Sequence, residues 1–174
     1  MSNNSTDMFQ GNRAEEFETP IAFVKYIEDR LEVVFTLDAA ADENNTKAPV
    51  WIDIEEDCFK ARWGGTVWLN PPYGRKIPNF LERVNSQTKN CDLIAVLLPA
   101  RVCTRWFHDL VVPYVSEIYF IKGRLNHHHH SSVDNSCAPF PSMLLIYRGE
   151  GGIIGDGKEA EWNTLEPTLR QRGN

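Results

Sequence analysis

The sequence predicts an α/β fold, a mostly parallel sheet with helices between its strands and an antiparallel last strand. Three observations carry this. Leu93-Ile94-Ala95-Val96-Leu97-Leu98 is an uninterrupted apolar run closed by Pro99, the pattern of a parallel strand buried on both faces. Helix-period and strand-like segments alternate along the chain. The last two strand-like segments, 116–121 and 143–147, have no helix as their sole link and so suit antiparallel pairing.

Residues 1–16 read as a disordered tail. Thr19 and Pro20 read as the N-cap and first position of a helix. Ile21, Phe23, Val24, Ile27 and Leu31 continue it at helical spacing. Residues 33–37 form a β-rich run ending in Asp38, followed by Ala39-Ala40-Ala41 and a polar stretch. A short strand is expected at 49–53, then the acidic knot Glu55-Glu56-Asp57. Trp63-Gly64-Gly65 reads as a turn into a strand at 66–69. A helix begins at 78–84 with Phe80 and Leu81 inward, and another spans 104–112. A long polar loop, 123–142, separates the last two strands. The segment 149–174 is a Gly-rich, charged tail with a short helix around 158–162. There is no repeat and no linker, so 17–148 is one folded domain.

The 174 residues suffice for one domain with a real core, and 42% apolar content with 11% aromatics fits a soluble globular chain. No apolar run approaches membrane-spanning length, and the polar residues 1–12 carry no signal-peptide core. Cys58, Cys91, Cys103 and Cys137 show neither a close pair nor metal-ligand spacing; thiols in a reducing cytoplasm are the simplest account. The net charge of −6 does not advertise nucleic-acid binding. It leaves room for a local basic face from Arg75, Lys76, Arg101, Arg105, Lys122 and Arg124, or for scattered solvated cations.

The most informative motif is Asn70-Pro71-Pro72-Tyr73, directly after the strand Thr66-Val67-Trp68-Leu69. Each proline locks φ, and the residue before a proline is kept out of the helical region. Asn70 therefore leaves the strand in a preset direction. Its side-chain oxygen and the Pro71 carbonyl are two acceptors that suit a planar amino group with two hydrogens to give. Tyr73 adds a flat face for a planar base. The plainer reading is a stiff turn after a buried strand. Leu37-Asp38-Ala39-Ala40 sits where a doubly wound sheet binds a nucleotide-like cofactor, although no G-x-G-x-x-G is present. Asp57 could accept amino hydrogens from such a cofactor's adenine, or belong to solvated surface.

In this order, these segments resemble the phage-type (Dam-like) DNA N6-adenine methyltransferases. The likeness runs through Thr19-Pro20, Phe35-Thr36-Leu37-Asp38-Ala39-Ala40-Ala41, Glu55-Glu56-Asp57 and Trp68-Leu69-Asn70-Pro71-Pro72-Tyr73-Gly74. It continues through Val96-Leu97-Leu98-Pro99-Ala100-Arg101, Trp106-Phe107-His108, Gly123-Arg124-Leu125 and Ala138-Pro139-Phe140-Pro141-Ser142. The resemblance implies a Rossmann-like class I methyltransferase fold that uses S-adenosyl-L-methionine and acts on N6 of adenine in double-stranded DNA. It implies Asn70, Pro71, Pro72 and Tyr73 as catalytic residues, and Thr19, Pro20, Asp38, Ala39, Ala40 and Asp57 as the cofactor site. No membrane association and no metal follow from it; a bacterial cell or infected host is the implied setting.

Arg101, Arg105 and Arg124 are candidate phosphate contacts. The loop 123–142 is the candidate DNA-touching segment, since the chain has no room for a separate recognition domain. Two departures stand out. Phe17 takes a place where the family often has Trp, and His127-His128-His129-His130 follow Asn126. Consecutive side chains on an extended loop diverge, so the four histidines read as solvated or partly cationic rather than as a zinc site. Two rival readings remain open: methylation of another planar nitrogen, in protein glutamine or RNA adenine, and a catalytically dead nucleic-acid-binding module.

Overall fold

The computed structural model describes residues 18–125 and 139–149, and the backbone of 161–165. The sequence-based expectations for the 1–16 tail and for His127 to His130 lie outside these residues.

The first helix, α1 (Ile21–Leu31), buries Phe23, Val24 and Ile27 on one face. Its N-cap is Pro20, not the expected Thr19. Pro20 is extended at ψ 134°, its carbonyl accepts from Phe23 N and Val24 N, and no side chain caps the helix. At the other end Glu32 turns left-handed, with φ 55°. Strands β1 (Leu37–Asp38), β2 (Val50–Trp51) and β3 (Gly65–Leu69) follow. Strand β1 is shorter than the β-rich run suggested, because Val34 is exposed and only residues from Leu37 pair on both sides. Gly65 opens β3 at φ +67°, where a Cβ would meet Thr36 Oγ1 at 2.6 Å; only glycine fits there.

Helix α2 (Ile77–Gln87) starts with Pro78 in its first turn and buries Phe80, Leu81 and Val84. It leads into β4 (Cys91–Pro99). The expected helix at 104–112 is present over 105–111, and its part Phe107–Val111 winds one wide turn in which Val112 N bonds to Phe107 O. Strands β5 (Glu117–Ile121) and β6 (Ser142–Arg148) complete the predicted set. A further strand, β7 (Glu161–Leu165), replaces the short helix expected around 158–162. Its backbone pairs parallel with β5 from Glu117 to Ile121, and that ladder overrides local helical tendency.

The strands form one sheet in the order β2-β1-β3-β4-β6-β5-β7. Only β6 runs against the others, pairing antiparallel with both β4 and β5. The sheet is covered on both faces. Leu93, Ala95 and Leu97 of β4 join Leu144 and Ile146 under α1. Ile94, Val96 and Leu98 join Met143, Leu145 and Tyr147 under α2 and the Phe107–Val111 turn. This double burial explains the continuous apolar run, at roughly 1.5–3 kcal/mol per large side chain. Among the described residues, no helix is long and apolar enough to cross a membrane.

Candidate functional site

The chain leaves β1 toward β2 on one side, then returns to pair β3 on the other. That reversal makes the carboxyl ends of β1 and β3 the topological switch point, the usual ligand position in open α/β sheets. Asp38 lies opposite Trp68 in this parallel pair, and Ala39 N donates to Trp68 O at 2.9 Å. The small Ala39-Ala40 turn and the Asn70-Pro71 turn therefore emerge side by side.

Asp38 is buried, at 3% exposure. Its Oδ1 accepts from Ala40 N at 3.3 Å and its Oδ2 from Lys47 N at 2.9 Å. Burial outweighs those two hydrogen bonds and the Lys47 charge, and pushes the carboxyl up to about 6. The sequence suggested a carboxylate open to a ribose or amino group; in the structure both oxygens first tie down their own loop. Lys47 also links that loop to the start of the chain, since its ammonium bonds Glu18 at 2.9 Å. Thr19, the next residue, is buried, and its Oγ1 has no hydrogen-bond partner among the described residues. Thr19 and the Asp38 loop, far apart in sequence, are thus neighbours at one rim.

Strand β2 adds an acidic residue that the sequence reading passed over. Ile52 N bonds Asp38 O at 2.9 Å, so Asp53 stands at the end of β2 beside the Asp38 loop. Its Oδ1 accepts from Glu55 N and Glu56 N at 2.9 and 3.0 Å, shaping the turn toward Asp57. The signal was an Asp two residues past a short strand, hidden by the more conspicuous acidic knot after it. Asp57 is buried at φ 61°, with Oδ1 on Phe59 N at 3.1 Å and Oδ2 on Lys60 Nζ at 3.1 Å. Beyond it, Trp63 Nε1 and Arg83 Nε both donate to Cys58 O, anchoring this segment on α2. Cys58 is a buried free thiol, pushed up to about 12 by burial and by the charge of Asp57.

On the β3 side Asn70 is half-buried and Pro71 buried. Tyr73 belongs to the core under α2 and is 5% exposed. Its ring is therefore not an open stacking face. Phe140 meets it at 5.3 Å between ring centroids with 77° between planes. Pro141 O accepts from Ala100 N at 2.8 Å, which seats the 139–142 segment on the end of β4. Arg101 and Arg105 are exposed beyond the same end of β4, and Arg124 is exposed just past β5. Residues 126–138, most of the loop expected to touch DNA, lie outside the described set.

Residues 8–155 match the family described as DNA N-6-adenine-methyltransferase (Dam). The chain belongs to that family. It is 33% identical over 144 residues to a DNA N-6-adenine-methyltransferase of Escherichia phage T1, covering 81% of this chain and 57% of the phage T1 protein. It thus spans little more than half the length of that relative. It is also 33% identical over 134 residues to a DNA N-6-adenine-methyltransferase of Haemophilus phage HP1, covering 74% of this chain and 76% of the relative. Among solved structures, a candidate RNA methyltransferase from Pyrococcus horikoshii aligns with TM-score 0.53 at 11% identity. That alignment covers 81% of this chain and 91% of the other, a likeness of fold alone.

Within this Dam-family domain the structure brings together Thr19, Asp38, Ala39 and Ala40 through Lys47 and the β1/β3 ladder, with Asn70 on the adjoining turn. Phe140 and Ser142 also reach the carboxyl-end rim. In the sequence they belonged to the resemblance segment Ala138-Pro139-Phe140-Pro141-Ser142 within the loop 123–142, with no individual role assigned.

Proposed function

We propose that this chain transfers a methyl group from S-adenosyl-L-methionine to N6 of adenine in double-stranded DNA. The observation that carries the reading is the side-by-side exit of the Asp38-Ala39-Ala40 and Asn70-Pro71-Pro72-Tyr73 turns from the paired strands β1 and β3. One turn suits a cofactor and the other a planar amino group.

The residues present fit that cofactor. Ala39 and Ala40 leave room for close backbone approach, and the unpartnered buried Thr19 Oγ1 is a hydrogen-bonding group in want of a partner. Asp53 and Asp57 stand as acceptors along the next strand end, suited to ribose hydroxyls and to an adenine amino group. Asp38 acts indirectly, by fixing the Ala39-Ala40 turn. When bound, the cofactor supplies an electrophilic methyl group on a sulfonium.

The protein's part is to prepare the acceptor. The N6 lone pair of adenine is delocalised into the ring and is a poor nucleophile. The Asn70 side-chain oxygen and the Pro71 carbonyl would accept the two amino hydrogens, draw the nitrogen toward tetrahedral geometry and stabilise its developing positive charge. Asn70 leaves β3 on a proline-fixed backbone, so this orientation is held before the base arrives. No strong base is needed, because the proton leaves after the methyl has added. The target atom is out of reach in a stacked duplex, so the base must be flipped out. Phe140, half-buried at the rim, would receive it, and Tyr73 would do so only where Phe140 moves off its ring. The exposed Arg101, Arg105 and Arg124 would hold the phosphates. The phage origin of the two relatives supports a place of action in the bacterial cytoplasm.

The test is radiolabel transfer from S-adenosyl-L-methionine to unmethylated duplex DNA, followed by nucleoside digestion and chromatography. Label in N6-methyladenine is the expected result. Cofactor binding without label in DNA would overturn the substrate, and loss of both would favour a dead binding module.

A further inference from the structure

We propose that Ser142 contacts the flipped nucleotide, its hydroxyl donating a hydrogen bond to a ring nitrogen of the adenine. The assignment rests on the methyl-transfer reading above. It starts from an unpaired group: Ser142 is 1% exposed, and its Oγ has no hydrogen-bond partner among the described residues. A buried hydroxyl without a partner destabilises a fold, so it calls for a reason other than stability.

Register gives the reason. Ser142 pairs with Pro99 at the end of β4, across the sheet from the strand that carries Asn70. Leu69 pairs with Val96, so the turn after β3 rises to the level of Pro99 and Ser142. Side chains alternate along strands. Trp68 lies in the α1-facing core and Leu69 in the α2-facing core, so Asn70, kept extended by Pro71, turns to the α1 face. Met143 lies in the α2-facing core and Leu144 in the α1-facing core, so Ser142 turns to the α1 face too. Thr19, two residues before α1, carries another buried hydroxyl with no hydrogen-bond partner among the described residues.

Two strand spacings, roughly 10 Å, separate β6 from β3, and a third separates it from β1 and the cofactor turn. Ser142 is therefore on the substrate side of Asn70, away from the cofactor. A base whose amino group faces Asn70 and Pro71 would present a ring nitrogen, an acceptor, toward that hydroxyl. Pro139 and Pro141 beside it are exposed, so Ser142 lies just beneath the surface that a base would approach.

The experiment compares wild type and Ser142→Ala by label transfer to duplexes whose target adenine is intact or replaced by 1-deaza-, 3-deaza- or 7-deazaadenine. Melting temperature and cofactor affinity are measured in parallel. Ser142→Ala is expected to melt no lower than wild type, to bind S-adenosyl-L-methionine equally well and to lose about tenfold in kcat/KM on intact adenine. On the one analogue lacking the contacted nitrogen, wild type and variant become equal. Equal loss on all four substrates, no loss on any, or a lowered melting temperature would each overturn the assignment. Absence of N6-methyladenine with wild type on intact DNA would instead overturn the proposed function, and this contact with it.

Discussion

Tyr73 and Phe140 close on each other edge to face, with ring centroids 5.3 Å apart. In the proposed reaction the flipped base would stack on one of these rings, and using the Tyr73 face would require Phe140 to move off it. Phe140→Ala is expected to raise KM for DNA by ~5- to 100-fold, the worth of one aromatic stacking contact. Cofactor affinity should stay unchanged. Tyr73→Phe, which keeps the ring, should retain most activity, and steady-state kinetics on one duplex substrate measure both variants.

Asn70 supplies the acceptor that the proposed chemistry depends on. Asn70→Ala is expected to lower kcat by ~100-fold or more. Its dissociation constant for S-adenosyl-L-methionine, read by calorimetry, should change little. Full activity in this variant would remove the basis of the mechanism.

Asp38 gives a pH dependence with a definite sign. Its carboxyl is raised from 3.8 to about 6 by burial. Protonation leaves one oxygen a poorer acceptor for Ala40 N or Lys47 N and loosens the Ala39-Ala40 turn. Cofactor affinity should therefore fall as pH drops through about 6, and Asp38→Asn should bind more weakly with a flatter pH profile. The stability effect has the opposite sense. A raised folded-state value means the ionised carboxylate opposes folding above about 6, on the order of 3 kcal/mol, and this opposition vanishes below 3.8. Wild type should lose stability relative to Asp38→Asn as pH rises from about 4 to about 7, as urea melts would show.

Arg101, Arg105 and Arg124 are exposed around the carboxyl-end rim on a chain of net charge −6. Each Arg→Ala change is expected to weaken DNA binding similarly on all sequences. Each should also reduce the slope of log affinity against log salt by about one where the side chain meets a phosphate. An unchanged slope identifies a residue that does not.

The sequence by itself determined the alternation of elements, the central strand and the chemistry of the Asn70 turn. Those signals are local: Leu93 to Leu98 is apolar because both faces are covered, and Pro71 and Pro72 stiffen the backbone in any context. Tertiary structure decided what the side chains do there. Asp38 looked open because nothing local shows that Lys47 N will occupy one of its oxygens. Thr19 looked like a cap until Pro20 took that place. Tyr73 looked like a free face until Phe140, from the segment before β6, closed on it. Asp53 and Ser142 join the rim only through ladder registers set between distant strands. Burial and pairing across the sheet are long-range properties. A chain written in one dimension shows which groups it carries, and packing decides which of them are left for a ligand.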